Sequence, residues 1–255
     1  MSAHNLDLQA VAAGTQNLIQ RPLDIRDIDQ VLCVQQKDLR ALPEDQDWVH
    51  QKRRDDYAEL LTHPSHQMIG VFTGDRLLSF SACLFPTPDE PDADMQEMAL
   101  PGPPESLTVL SAVMRDPSFI HPGGLMRPMV CHWLELARQR DRAHALGMIT
   151  QNNQRSWSRF VEAGVHIVGC GTDVSDGSTV YYAHGRISSL RPHFDPVQHQ
   201  ARSVPVEPEM PLTRLQQLFN EGYVGVAPER SPESGRMTGR LITIPRSCLN
   251  NNSLG

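Results

Sequence analysis

The sequence is poor in the residues that make staples, membrane spans and nucleic-acid coats. It has only five cysteines: Cys33, Cys83, Cys131, Cys170 and Cys248. They are odd in number, far apart and never in a CxxC pair. Neither a disulfide framework nor a metal site is expected, and a reducing cytoplasm fits best. Each cysteine reads as a small apolar packing residue rather than a nucleophile. No run approaches the ~18 apolar residues that span a bilayer, so no membrane partner is expected. The opening segment, MSAHNLDLQAVAAGTQNLIQRPL, lacks the basic-then-apolar layout of a secretory signal. Lysine is nearly missing: Lys37 and Lys52 are the only two. With a formal net charge of −7, the chain does not read as a nucleic-acid coat, and no nucleic-acid partner is expected.

What is present is ordinary soluble composition. The 255 residues are 39% hydrophobic, enough for one generous domain or a domain with an appendage. Residues 1–17 are polar and alanine-rich and are expected to be a flexible end. NLIQRPL reads as a first strand stopped by Pro22. DIRDIDQVLCVQQKDLRAL and DWVHQKRRDDYAELLTHP carry apolar residues at helical spacing, and Pro64 closes the second. QMIGVFTGDRLLSFSACLF is two apolar runs around TGD, a hairpin signal. The acidic, proline-rich PTPDEPDADMQEMALPGPPE is expected to be an exposed excursion.

Beyond it come the strand SLTVLSAVM, a helix LMRPMVCHWLELAR, the strand HALGMIT and a short helix in NNQRSWSRFVEAG. VHIVGCGT and STVYYAHGR follow as strands around the turn DVSDG. This order predicts an α/β fold with a mixed, mostly antiparallel central sheet flanked by helices over residues 18–187. Residues 188–255 read as a proline-rich C-terminal extension with one short helix, LTRLQQLFNEGYV, and one strand, RLITIP. That strand could pair with a sheet edge in cis or across a homodimer.

Gly123 and Gly124 stand between a strand and a helix, with Pro128 in the first helical turn. The first N–H groups of a helix have no internal acceptor and carry the positive end of its dipole, so a pyrophosphate could approach there. His121 and Arg127 could add contacts. Alternatively, the glycines only make a tight turn. The spacing fits neither GxGxxG nor the GK[ST] phosphate loop.

The element order and this loop resemble the GNAT superfamily of acyl-CoA-dependent N-acetyltransferases, whose loop carries [RQ]-x-x-G-x-[GA]. His121, Pro122, Gly123, Gly124, Leu125 and Met126 fall on those six positions, with His121 in place of Arg or Gln and Met126 in place of the small residue. NNQRSWSRFVEAGVHIVG is similar to the family's N-x-x-A-x-x-x-[YF]-x-x-x-G-F, with Asn153, Ser156, Phe160, Gly164 and Val165 matching.

The resemblance implies an N-acyltransferase fold, acetyl-CoA (coenzyme A) as cofactor and an amine acceptor on a small molecule or peptide. Cofactor contacts would fall on Val113, Met114, Arg115, His121, Pro122, Gly123, Gly124, Leu125, Met126, Arg127, Asn153 and Phe160. Asn153 is also well placed as a helix N-cap. The family's base is often a Glu on the fourth strand, and Glu105 is the nearest acid. Phe160 occupies the place of its usual acid, a tyrosine, so Tyr182 or Tyr181 would have to replace it; adjacent strand residues face opposite sides, so at most one faces the cofactor. Asp45, Asp47, Trp48 and the excursion Asp89 to Glu97 could attract a cationic amine. A non-catalytic acyl-CoA-binding module is the competing expectation.

Overall fold

The computed structural model describes residues 18–42, 51–90, 101–119, 124–174, 176–190 and 202–250. They fall into two compact units: Met1–Leu84 with Leu110–Met129, and Phe85–Val109 with Val130–Gly255.

In the first unit, β1 (Leu18–Pro22), β2 (His66–Thr73), β3 (Arg76–Leu84) and the end of β4 (Leu107–Arg115) lie side by side in chain order. β1–β2 and β2–β3 are antiparallel, and Thr73 pairs with Arg76 around a turn where Gly74 takes φ +55°. A left-handed backbone suits glycine there, as the TGD signal predicts. α1 (Ile28–Arg40) begins after a 3-10 turn capped by Asp24. Ile28, Val31 and Val34 recur every three residues and sink into a core with Tyr57, Met68, Phe72, Phe80 and Met114. α2 (Arg54–Thr62) starts where Asp56 accepts the Arg53 N–H at 2.6 Å, and the chain turns extended at His63, ahead of Pro64.

In the second unit, the order is β4, β5 (His144–Thr150), β7 (Thr179–Arg186), β6 (His166–Thr172), then three further strands. Only β4–β5 is parallel; the other registered pairs are antiparallel. α3 (Met126–Gln139) contributes Val130, Trp133, Leu134 and Ala137 to the core, and Trp133 Nε1 donates to Thr108 Oγ1 at 2.8 Å. α4 (Gln154–Glu162) is capped by Asn153 and released by Gly164 at φ +87°. The mixed sheet with flanking helices is the expected fold class.

The C-terminal segment holds more than one helix and one strand. β8 (Val204–Val206), α5 (Leu212–Asn220), β9 (Tyr223–Arg230), β10 (Met237–Pro245) and a four-residue α6 (Ser247–Asn250) are all formed. β9 reaches β6 through Ile167↔Gly225. β10 holds RLITIP and pairs in cis on both sides over Leu241–Thr243, with β8 and with β9. Val224, Val226, Ile242, Ile244 and Cys248 form a small core of their own with Val168. Among the described residues no helix is long and apolar enough to cross a membrane.

Candidate active site

The registered β4–β5 ladder is short. It comprises Leu107↔His144, Thr108↔Ala145 and Val109↔Leu146. β5 continues to Thr150, and over Gly147–Thr150 it keeps its β7 partners, Ala183 back to Val180. Among the described residues that stretch of β5 has no registered partner on the side away from β7.

The far end of β4 lies in the first unit. The Asp116 N–H donates to Leu78 O at 2.6 Å, so that amide faces β3. Strand N–H groups alternate sides, which turns the Met114 amide toward β3 and the Val113 and Arg115 amides away from it. The Arg115 N–H is already taken, donating to Asp38 Oδ2 of α1 at 3.2 Å. Met114 is buried beside Tyr57, whose hydroxyl donates to Gln35 Oε1 at 2.8 Å and lies 3.6 Å from Met114 Sδ. Two of the expected cofactor contacts have other partners within the chain. Met114 is committed to the core and to β3, and the Arg115 amide is capped by Asp38. Of the three expected contacts, Val113 keeps an N–H turned away from β3.

Asp116 closes β4 with a charged knot. Its side chain has 0% exposure. Lys37 Nζ reaches Oδ2 at 2.8 Å and Arg76 Nη2 at 2.6 Å, while Oδ1 accepts from Ser118 N–H at 3.0 Å and Ser118 Oγ at 2.6 Å. Burial opposes the charge, but Lys37, Ser118 and Arg76 together hold the carboxyl well below the usual carboxylate range. The knot fixes where the chain leaves the strand toward the glycine loop. Nothing in the sequence pattern flagged it, because Lys37, Arg76 and Asp116 are far apart in the chain.

Of that loop, His121, Pro122 and Gly123 lie outside the described residues. Gly124 takes φ +66°, and a Cβ there would meet nothing within 4 Å. Backbone conformation, not space, calls for glycine. Leu125 is buried with Val71, Leu78 and Met129, which seats the start of α3 on the first unit's sheet. Met126 is half-buried and Arg127 exposed. Asp45, Asp47, Trp48 and 91–97 of the acidic excursion also lie outside the described residues; Asp89 and Glu90 are exposed.

The second unit holds the remaining expected residues. Glu105 is exposed in a 3-10 turn, Pro104–Ser106, ahead of the closed β4–β5 ladder. It lies outside β4, two residues before the first closed pair at Leu107 and at the opposite end of the ladder from where pairing stops, whereas a direct base must come within hydrogen-bond reach. Phe160 is 2% exposed, packed on Trp133 at 5.8 Å between ring centroids and over the bare Cα of Gly147. It is packed as a core residue. Tyr182 is half-buried and leans over Gly169 and Gly171 of β6, where a Cβ at Gly171 would overlap its hydroxyl. Its hydroxyl therefore points away from β5. Tyr181, on the opposite face, is buried against Trp157 and Phe219, and burial pushes its phenol above its ordinary range. Asn153 is a cap: Oδ1 accepts from Ser156 N–H at 3.1 Å.

The placement of Phe160 carries a test. Phe160→Tyr would push a hydroxyl into the space between Trp133 and Gly147, and should cost about 1–2 kcal/mol in urea unfolding with no gain in any transfer rate. A rate increase would return the position to the active site.

No protein-family model and no curated protein sequence matches the chain. Solved structures do. An N-acetyltransferase from Staphylococcus aureus Mu50 aligns with a TM-score of 0.53 at 10% identity, over 68% of this chain and 99% of its own. A probable acetyltransferase from Staphylococcus epidermidis ATCC 12228 gives 0.49 at 12% identity, over 66% and 98%. The PaiA N-acetyltransferase from Thermoplasma acidophilum, in complex with coenzyme A, gives 0.48 at 12% identity, over 66% and 98%. At these identities the likeness is one of fold, and the Staphylococcus aureus enzyme carries it.

Proposed function

We propose that this chain, which has the fold of the GNAT N-acetyltransferases, moves an acetyl or short acyl group from coenzyme A to an amine of a small molecule or protein. The observation that carries the reading is the β4–β5 ladder, which closes for three pairs and goes no further. A parallel pair that stops pairing while one strand runs on leaves backbone groups to bind an extended arm as an added strand.

Bound acetyl-CoA would supply an acyl carbon already activated as a thioester. The chain's own part is positioning. Gly124 lets the backbone turn left-handed into α3, and the first helical amides then suit a diphosphate. The outward Val113 N–H is the donor suited to negative charge developing on the acyl oxygen. Attack forms a C–N bond and breaks C–S. Because neither Glu105 nor Phe160 is placed to move protons, the amine proton would go to water and the thiolate would leave unassisted, as the low pKa of a simple thiol, about 8.5, permits. The acceptor is left to the elements around α1 and α2 and to the acidic excursion, whose charge favours a cationic amine.

A second reading, a coenzyme A-binding module without turnover, is favoured by the misplacement of Glu105, Phe160 and Tyr182 and by the Asp38 cap on Arg115. Calorimetry with coenzyme A and thiol release across a panel of amines separate the two. The expected result is binding, with release from acetyl-CoA on at least one amine. Gly124→Ala should weaken binding by up to about tenfold, since a left-handed L-residue costs about 1–2 kcal/mol. Binding without turnover on any amine selects the second reading, and no binding removes both.

A further inference from the structure

Three neighbouring strands of the second unit bring three imidazoles and one guanidinium to one face. His166 of β6 is directly opposite His184 of β7, and His144 of β5 is directly opposite Arg186 of β7. His184 and Arg186 are two apart, so all four side chains share a face. Directly opposed residues hold their Cβ atoms about 4.5–5.5 Å apart. His144 Nδ1 and His184 Nε2 meet at 3.1 Å, with ring centroids 5.2 Å apart. Such a contact needs one donor and one acceptor, so the neutral pair shares a single proton. Arg246, just past β10, also acts on His184.

Burial, then His144, Arg246 and Arg186, press His184 down to about 4. Burial and His184 press His166 down to about 4, and burial and Arg186 lower His144. Among the described residues no carboxylate acts on any of the three. Arg186 and Arg246 are exposed, whereas the three imidazoles are half-buried. The result is a floor of potential N–H donors edged by the Arg186 guanidinium, with the charge of Arg246 also acting on His184.

We propose that this face is a binding site for a tetrahedral oxyanion, the phosphate group of a ligand, held between Arg186 and the His144–His184 pair, with Arg246 adding positive charge. Guanidinium forks match the oxygens of such a group. Its charge lets both imidazoles become donors, replacing the shared proton with two bonds to the anion. Binding therefore takes up protons and tightens as pH falls. The site uses no residue assigned above to coenzyme A and stands whether or not that assignment does.

The probe is sulfate, which keeps its charge across this range, titrated calorimetrically at fixed ionic strength against chloride. Inorganic phosphate and acetate are parallel arms. The intact chain should bind sulfate and phosphate at pH 6 and at least tenfold more weakly at pH 8, with net proton uptake seen from the heats in two buffers. An Arg186→Ala/Arg246→Ala variant changes two exposed residues and should fold normally while losing more than tenfold in affinity. His144→Asn should flatten the pH dependence. An equal sulfate effect in the double-arginine variant would mark a general salt effect and overturn the site, as would acetate binding as tightly as sulfate.

Discussion

Replacing Asp116 by alanine is expected to destabilise the chain by about 3 kcal/mol in urea unfolding. The magnitude follows from what is left behind. The carboxylate is fully buried and accepts from Lys37, Arg76 and both donors of Ser118. Removing it leaves a cavity in place of the buried carboxylate and takes the shared acceptor from Lys37, Arg76 and the exposed Ser118. Lys37 and Arg76 are 42% and 55% exposed and can turn back to water, which keeps the loss at the lower end of the range for broken buried pairs. Asp116→Asn should recover little, because one face of the amide would present donors to a guanidinium. The folded-state pKa is depressed, so this stabilisation is complete above the unfolded value near 4 and is lost only as pH falls toward strong acid. The same variant should raise the Kd for coenzyme A, since Ser118 starts the loop toward Gly124. A loss below 1 kcal/mol would show that the knot is a solvated surface cluster.

Much of the fold follows from local pattern. The alternation of helix and strand signals from NLIQRPL to STVYYAHGR matches β1 through β7 in order, because each segment carries its own period and its own punctuation. Gly74, Gly124 and Gly164 all sit at positive φ where turn or cap chemistry asked for them. The tail was harder to read. β9, YVGVAPER, has a proline and a glycine inside it, and those residues argue against a strand when read alone. Its core residues interleave with those of β10 and α6, so the apolar content is sufficient only once the strands are paired.

The candidate site was legible as a place and not as chemistry. Loop and cap glycines are local signals. Whether Arg115's amide is free depends on Asp38, whose contact spans 77 positions of chain. Whether Tyr182 faces a cofactor depends on two glycines of β6 that let its ring lie down. Phe160 reads as the counterpart of a tyrosine by spacing, yet Gly147 supplies the vacancy that draws it into the core. The histidine array is invisible for the same reason: it exists only in the register of β5, β7 and β6.

That array sets the second large effect, a loss of stability in mild acid. Burial and the neighbouring His184 hold His166 down to about 4 in the folded chain, against about 6.5 when unfolded. Between those values the unfolded state binds more protons than the folded one, so stability falls as pH falls. The stabilisation is whole above about pH 6.5 and gone by about pH 4, a loss of about 3 kcal/mol from this residue alone at 1.36 kcal/mol per unit. His184 adds to the slope, although its partial exposure makes its share smaller. His166→Gln keeps a polar side chain without a titrating group. In urea unfolding at pH 7, 6, 5 and 4.5 it should lose little at the top of the range and overtake the wild type near the bottom, with one proton fewer in the slope. Parallel curves for the two proteins would mean that His166 charges freely in the fold. The cross-strand array would then be a solvated surface feature, with no unbalanced charge for an anion to answer.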